Sequence, residues 1–342
     1  MATVIKTIGT NGRDYSTITA WEADLDNSAI YAAGDNAVGV CYNDSAFSGS
    51  LIIDGGQAIG LNSVTLTVAE GDRHAGTPGT GAILHGNNYD YVLILNSKNS
   101  IVEWLEITSP GTRASNMLYM PWTVYGESRT ARHLLIYDNN RGEGNTPQGI
   151  YARFTCTVHN CMVFRLKYQY PASVPAVSVN YTSKLYNVTV YGFQHSGASG
   201  DAYGIADDRQ STPDAQIHNC VVGGITSANG TGSCFSIARA TVDYSASEDA
   251  TAPGSHSLHN ITPANEFVST VWGAEDLHLK SSAACIDAGM DLTSTGIPNI
   301  ALDIDGQNRQ AAWDIGADEY VSAQTFNPAW AQHVNTYIGL GR

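Results

Sequence analysis

The 342-residue sequence predicts an all-β protein, a right-handed parallel β-helix (solenoid) with a short N-terminal capping helix, a C-terminal cap and a tail. Two observations carry this prediction. Charged residues make up only 14% of the chain while glycine occurs 34 times, which suits strands and turns better than exposed helix faces. Short runs with period-two alternation also recur along the chain, and no helical pattern separates them.

Residues 1–30 are expected to form an N-terminal strand and the capping helix. The only helical signature in the first hundred residues lies at 12–26, GRDYSTITAWEADLD. Thr19 and Glu22 have the spacing of a capping box. Three apolar side chains fall on one face of this helix: Ile18, Trp21 and Leu25.

Residues 31–276 are expected to form the coils of the solenoid. Five segments with period-two alternation can be aligned: SIVEWLEIT (100–108), ARHLLIYDN (131–139), TVHNCMVFR (157–165), KLYNVTVYG (184–192) and QIHNCVVGG (216–224). Spacings of 30, 26, 27 and 32 residues separate the equivalent positions Trp104, Leu134, Asn160, Asn187 and Asn219. A second strand-like run precedes each segment, so one repeat reads as strand, turn, strand and a loop of variable length.

The recurring asparagines are predicted to stack from coil to coil. Asn160, Asn187 and Asn219 occupy one position of the repeat, where their amides can bond along the solenoid axis. The matching HNC triplets at 159–161 and 218–220 also admit a metal or nucleophile site. Recurrence at one structural position favours stacking.

This pattern resembles the pectin-lyase-like superfamily of right-handed parallel β-helices. The opening DYSTITAWEADL is similar to the DFSTIQAAIDA-type segment at the start of many such proteins. The resemblance implies that the first helix caps the stack, and physical reasoning agrees, because a stack of coils has an open apolar end with unpaired strand edges.

Residues 277–320 are the expected C-terminal cap. They are similar to the C-terminal segment of bacterial and phage β-helix proteins sometimes labelled choice-of-anchor Q domains. The matching elements are CIDAG (285–289), DIDGQNR (303–309) and DIGADEY (314–320).

The acidic residues of this segment admit two interpretations. Carboxylates could supply hard oxygen ligands for Ca²⁺, from Asp303, Asp305 and Asp314 and also from Asp318 and Glu319. DIDGQN lacks the glycine and glutamate spacing of an EF-hand loop, so we favour structural turns and pairing with Arg309. No metal and no cofactor are therefore expected.

Residues 321–342 are the expected docking tail. Apolar side chains recur in it beyond the repeat, and such a segment packs on its own domain or on a partner. The candidate partner-binding residues are Phe326, Trp330, Val334, Tyr337, Ile338 and Leu340.

Composition limits the partners and the compartment. A net charge of −15 argues against nucleic acid, because no basic surface is available to neutralise phosphates. No stretch has the length of a membrane span or the order of a signal peptide, which predicts synthesis in a cytoplasm without export. The six cysteines are scattered without CxxC pairs, so buried free thiols are expected.

The candidate catalytic residues are Asp207 and Asp208. With Arg209 they resemble the DD element of β-helix polygalacturonases, and Glu103 and Glu106 offer further acids. The NTD, GHG and RIK elements of those enzymes are absent, as are the basic groove of pectate lyases and a convincing pectin methylesterase constellation. Asp207 and Asp208 are therefore interpreted as turn residues.

Three functions remain open. The first is a non-enzymatic phage virion protein, most specifically a capsid decoration or cement protein that binds a major capsid protein, another virion protein or itself; both ends of the chain resemble such phage proteins. The second is a polysaccharide lyase or glycoside hydrolase. The third is an adhesin or tail-associated protein that binds a host glycan through aromatic side chains such as Tyr119, Trp122 and Tyr125.

Overall fold

The computed structural model describes residues 2–44, 46–86, 91–111, 116–121, 128–141, 148–207 and 215–322, with nothing said of the side chain of Arg141. Within these residues the chain winds into a right-handed parallel β-helix of about seven turns, as the sequence predicted. None of the described helices is long and apolar enough to cross a membrane.

Each coil has three faces, and the strands, numbered in chain order, pair in parallel with the equivalent strands of the next coil. The first face contains β1 Thr3–Ile8, β2 Asn36–Cys41, β5 Ser63–Val68, β8 Ser100–Glu103, β11 Arg129–Arg132, the first parts of β14 Cys156–Tyr168 and β16 Lys184–His195, β18 Gln216–His218 and β21 Thr241–Asp243. The second contains β3 Phe47–Ser48, β6 Ile83–His85, β9 Glu106–Ser109, β12 Leu135–Arg141, the second parts of β14 and β16, β19 Val221–Ser227 and β22 Ala246–Ser247. The third contains β4 Leu51–Ile53, β7 Tyr91–Leu95, β10 Asn116–Met120, β13 Gln148–Ala152, β15 Val174–Val179, β17 Ala202–Asp207 and β20 Gly232–Ser236.

A residue with positive φ forms the corner between the first and second faces. The corner residues are Trp104, His133, Asn160, Asn187 and Asn219, with φ values of 64°, 50°, 53°, 52° and 54°. Each segment that the sequence suggested as one strand therefore contains a corner. The structural equivalent of Trp104 is His133 and not Leu134, because Arg132 pairs with Glu103 immediately before the corner.

The corner asparagines form the predicted ladder. Asn187 donates to the side-chain oxygen of Asn160 at 2.8 Å, and Asn219 donates to that of Asn187 at 3.0 Å. All three side chains are fully buried. Asparagine tolerates the left-handed conformation better than most residues, so one residue type satisfies both the corner and the amide ladder.

The helix α1, Ile18–Ala23, lies at the start of the stack. Its N-cap is Thr17, whose hydroxyl accepts from the backbone of Ala20 at 3.1 Å, and not Thr19 as the capping-box spacing suggested. Glu22 is bound instead by backbone N–H groups of the first coil at Asp54 and Gly55. The predicted apolar face is buried, with exposures of 3%, 0% and 0% for Ile18, Trp21 and Leu25.

The last described part of the chain, residues 263–322, lies along the side of the coils, and we call it the strap. It contains α2 Pro263–Glu266 and the antiparallel pair β23 Phe267–Ser269 and β24 Asp276–Leu279, and one 3₁₀ turn at Thr293–Thr295; the other 3₁₀ turn, Glu70–Asp72, follows β5. The segment 277–320 predicted as a cap thus contacts the flank of several coils.

Side chains at or next to the corners hold the strap against the coils. Their amide or guanidinium groups donate to strap carbonyls: Arg132 to Pro298, Asn160 to Asn299, Asn187 to Ile300 and Asn219 to Met290. Residues far apart in sequence are therefore joined at successive coils, and the asparagine ladder bonds both along the axis and outward.

Candidate functional site

Asp207 stands at the end of β17 and holds a turn. Its carboxylate accepts from the backbone N–H groups of Ala238, Arg239 and Ala240 at 2.7, 2.6 and 2.7 Å. These bonds occupy both oxygens and orient them toward the chain of the next coil. Asp208, the second candidate catalytic carboxylate, lies outside the described residues.

The two further acids are also engaged in structural bonds. Glu103 forms an ion pair with Arg132 at 2.6 Å and accepts from Thr67 at 2.8 Å. Glu106 is fully buried and binds the backbone N–H groups of the loop before β6, at Gly79 and Gly81. It also accepts from the Tyr137 hydroxyl at 2.7 Å. A carboxylate with all these donors supports the fold, because its lone pairs are already satisfied.

The metal candidates of the C-terminal segment separate into two places. Asp314 is bound by the backbone of Asp287 and Tyr320 at 2.8 and 2.6 Å, and burial raises its pKa to about 6. Asp303 and Asp305 lie in another turn, where Asp303 accepts from the backbone of Asp305 and Gln307 at 3.0 and 2.7 Å. The three aspartates are therefore held in two different turns of the segment.

Arg309 pairs with the acidic residues of the same segment. Its fully buried guanidinium lies 3.2 Å from Glu319 and donates to the carbonyls of Gly316 and Ala317. This is the pairing of Arg309 with acidic residues that the sequence suggested as the alternative to a metal site.

The HNC triplets have no arrangement for nucleophilic chemistry. Burial raises the pKa of the Cys161 and Cys220 thiols to about 12, so neither forms a thiolate near neutral pH. Burial also lowers the pKa of His159 to about 3. All six cysteines are free and buried, as expected.

Part of the proposed glycan-binding aromatics and the whole tail set lie outside the described residues. Trp122 and Tyr125 belong to this group, as do Phe326, Trp330, Val334, Tyr337, Ile338 and Leu340. Tyr119 is described, and its ring lies between those of Tyr91 and Tyr151, with centroid distances of 5.1 and 5.5 Å. It packs in a column along the third face.

A groove on the second face combines charged, amide and aromatic side chains. It encloses about 150 Å³ and is lined by Pro110, Asp138, Asn139, Asn140, Arg165, Lys167 and Trp272. Six of these seven residues belong to coil strands or the loop that follows one, whereas Trp272 comes from the turn between β23 and β24. The strap and the coils therefore build the groove together.

A buried arginine organises the charges of the groove. Arg165 Nε and Nη2 donate to the two oxygens of Asp138 at 2.5 and 2.6 Å, and Nη1 donates to Glu275 at 2.8 Å. Lys167 lies 4.7 Å from the ring centre of Trp272, which remains 38% exposed. The groove thus presents an ammonium group and an indole on a rigid base.

Two buried amide oxygens beside the groove have no partner in the described part of the chain. The side-chain oxygens of Asn139 and Asn140 are buried and have no hydrogen-bond partner among the described residues. A buried acceptor without a donor is costly unless a ligand or water binds it. Hydroxyl-rich ligands would supply such donors.

The sequence contained one signal for this groove that was missed. Asp138 and Arg165 occupy equivalent positions of successive repeats, 27 residues apart, and both have positive φ. Opposite charges at equivalent positions predict an ion pair between coils. Trp272 had no comparable signal, because the strap lies outside the repeat.

Comparisons with known proteins found similar solved structures of one enzyme. No family model matches the chain, and no curated protein matches it. Among solved structures, Aspergillus niger pectin methylesterase in deglycosylated form matches at 10% identity with a TM-score of 0.40, covering 71% of this chain and 75% of that chain. The same enzyme in penultimately deglycosylated form matches at 10% identity with a TM-score of 0.42, covering 85% and 93%.

Proposed function

We propose that the chain is a non-enzymatic structural protein of a phage virion, specifically a capsid decoration or cement protein attached through its terminal segments. One observation carries the non-enzymatic part. Every described acid that the sequence offered for catalysis is bound by the fold: Asp207 by three backbone N–H groups, Glu103 by Arg132, and Glu106 by a loop and a tyrosine. Such groups are not free to transfer protons to a substrate.

The resemblance of both ends of the sequence to phage β-helix proteins supports the virion part. A rigid β-helix with an acidic surface suits a protein exposed on the outside of the virion. The apolar residues of the tail suit a docking segment that binds a major capsid protein, another virion protein or a second copy of this chain. The site of action would then be the virion, after synthesis in the host cytoplasm.

The test is binding to preassembled shells of the major capsid protein. Full-length chain is expected to cosediment with the shells, and Trp330→Ala or removal of residues 323–342 is expected to abolish cosedimentation while leaving the unfolding midpoint nearly unchanged. Tyr170→Ala serves as the control, because Tyr170 is exposed on the coils. Equal binding by the full-length and shortened chains would contradict the docking role. Turnover of an acidic polysaccharide that Asp207→Asn removes would contradict the non-enzymatic role.

The groove favours saccharide binding as a second candidate function. Trp272 offers an exposed ring for stacking, Lys167 offers a cation, and Asn139 and Asn140 offer unpartnered acceptors. This combination fits a uronate-containing oligosaccharide, whose hydroxyls donate and whose carboxylates pair with Lys167.

Fluorescence titration with oligogalacturonides tests this candidate. Binding is expected to weaken at least tenfold in Trp272→Ala and to decrease with added salt, whereas Tyr170→Ala is expected to behave like the parent chain. A neutral oligosaccharide of the same length serves as the reference ligand. Absence of saturable binding to both ligands would exclude the groove as a saccharide site.

A further inference from the structure

Side chains from three separate parts of the strap converge beside the early coils. His278 belongs to β24, Asp305 lies in the turn that follows Asp303, and Asp318 lies near the end of the described chain. One potential ligand atom from each of His278, Asp305 and Asp318 lies within 4.8 Å of the others. Asp305 and Asp318 share one acidic stretch of the sequence, whereas His278 is distant from both.

Backbone hydrogen bonds hold two of these carboxylates in place. Asp318 accepts from the N–H of Leu279 at 2.7 Å, which fixes it beside β24. Asp303 accepts from the N–H of Asp305 at 3.0 Å and so shapes the turn that carries Asp305. The cluster is therefore positioned by the fold before any ligand binds.

The histidine has the tautomer-fixing contact typical of a metal ligand. His278 Nδ1 lies 2.5 Å from Asp276, so a proton on Nδ1 is held by that carboxylate and Nε2 faces the cluster. Nε2 lies 3.1 Å from Asp305 Oδ2. Two ligands at about 2.1 Å from one ion at roughly tetrahedral or right angles are separated by about 3.0–3.4 Å, so this distance suits neighbouring ligands.

Two buried carboxylate oxygens in and beside the cluster have no partner. Asp303 is fully buried, and its Oδ2 has no hydrogen-bond partner among the described residues; the same holds for Oδ1 of Asp305. Arg309 is committed to Glu319 and to carbonyl groups and bonds to neither oxygen. A bound cation would satisfy both oxygens.

A glycine from the coils keeps the space in front of these atoms clear. Gly76, with φ of 67°, lies so close that a Cβ there would be 2.3 Å from His278 Nε2 and 2.8 Å from Asp305 Oδ1. The loop containing Gly76 follows the 3₁₀ turn after β5 and belongs to the second coil. Any other residue would fill the gap that the imidazole and carboxylate face.

We propose that His278, Asp305 and Asp318 bind one divalent transition-metal ion, with Asp276 orienting the imidazole and Asp303 supplying a further buried carboxylate. A mixed set of one imidazole and carboxylates favours Zn²⁺ or Mn²⁺ over Ca²⁺, which prefers oxygen ligands alone. The ion joins three segments of the strap directly beside the second coil. It acts as a clamp that secures the strap, and the site does not depend on the proposed virion function.

Isothermal titration of the tag-free, chelator-treated full-length chain with ZnCl₂, MnCl₂ and CaCl₂ tests the site. We expect one equivalent of Zn²⁺ to bind, with Mn²⁺ weaker and Ca²⁺ weakest, and saturating Zn²⁺ to raise the unfolding midpoint by roughly 3–8 °C. Asp276→Asn is expected to weaken Zn²⁺ binding about 10–100-fold, as loss of an orienting partner does. His278→Gln and Asp318→Asn are expected to abolish it.

His256→Gln is the matched control, because His256 forms a separate exposed pair with Asp243 at 2.8 Å and should leave Zn²⁺ binding unchanged. If the ligand variants fail to fold, the visible spectrum of Co²⁺ bound to the parent chain replaces them, and a spectrum typical of nitrogen and oxygen ligands is expected. Absence of saturable binding, unchanged Zn²⁺ affinity in a folded His278→Gln chain, tighter binding of Ca²⁺ than of Zn²⁺, or a Co²⁺ spectrum of thiolate ligation would each overturn the proposal.

Discussion

The coils and the strap are stabilised in different ways. The coils repeat one geometry, with parallel strands in register and an apolar interior, and even their polar corner residues stack on copies of themselves. The strap has little regular structure and encloses buried charges, among them Arg309, Asp303 and Glu319. Because the coils repeat, their structure can be predicted from the sequence. The strap depends on individual contacts between residues that are distant in sequence.

The first coil end gives the largest expected effect on the coils. Trp21→Ala removes a fully buried indole and its 3.1 Å bond to the Tyr31 hydroxyl, and is expected to lower the free energy of unfolding by about 3–5 kcal/mol. Urea unfolding measures the change. Trp272→Ala, at an exposed tryptophan, is the control and should cost less than about 1 kcal/mol. Equal costs for the two variants would show that Trp21 does not close the coil end.

Arg309→Ala is the corresponding test of the strap. It leaves Glu319 and the neighbouring buried carboxylates without their cation, and is expected to cost about 3–5 kcal/mol in the same urea measurement. Arg13→Ala is the control, because the Arg13 pair with Asp44 lies near the surface and should contribute about 0–1 kcal/mol. A similar small loss in both variants would contradict a strap held by buried charge.

Asn187→Ala tests the residue that belongs to both regions. It removes bonds to Asn160 and to the Ile300 carbonyl, and it removes one of the two acceptors of the Asn219 amide, which still donates to the Met290 carbonyl. The expected cost is about 1–3 kcal/mol. Asn187→Gly is the matched variant, because glycine adopts the positive φ of this position without strain. It therefore measures the loss of the side-chain bonds alone, whereas alanine adds backbone strain. Full stability in Asn187→Gly would mean that the corner geometry alone matters and that the ladder contributes nothing.

The smallest effect is a difference in pH response. Burial raises the pKa of Asp314 in the strap to about 6, so its favourable contribution is present below its unfolded value near 3.8 and is lost as pH rises through 6. In the coils, the backbone bond from Thr231 lowers the pKa of Asp201, whose contribution is present above the unfolded value and is lost on acidification.

Thermal unfolding at pH 4.5 and 6.5 measures the strap term. The parent chain is expected to lose stability between pH 4.5 and 6.5 through Asp314. In Asp314→Asn, we expect the loss in free energy of unfolding over this interval to be smaller by about 1 kcal/mol. Asp201→Asn is the coil control and should change the response only below about pH 4. A pH dependence that is identical in Asp314→Asn and the parent chain would contradict the assignment.

The solenoid could be predicted because each coil repeats the same local choices. Period-two alternation identified the strands, and recurrence of Asn160, Asn187 and Asn219 identified the ladder. The corners at Trp104 and His133 were not predicted, because the strand-like residue pattern continues through both positions. Neither corner has the glycine that usually indicates a positive φ. Thr17 replaced Thr19 as the N-cap because Glu22 binds the first coil instead of completing a capping box.

The candidate sites were less predictable because they combine the repeat with the strap. Trp272 reaches the groove from a turn of the strap, and His278 meets Asp305 and Asp318 through the strap fold. No periodic pattern links such residues. Glu103 and Glu106 had the chemistry of catalytic acids, but only the fold revealed their ion-pair and loop-binding roles.

Hydrogen–deuterium exchange of Arg309→Ala tests the central claim most directly. The claim is that buried ion pairs hold the strap in place, whereas the coils are stabilised by stacking on one another. We expect peptides from residues 263–322 to exchange at least tenfold faster than in the parent chain, while peptides from β14 and β16 keep the protection of the parent chain. Equal loss of protection in the strap and in β14 and β16 would contradict the claim, because the two regions would then unfold as one unit.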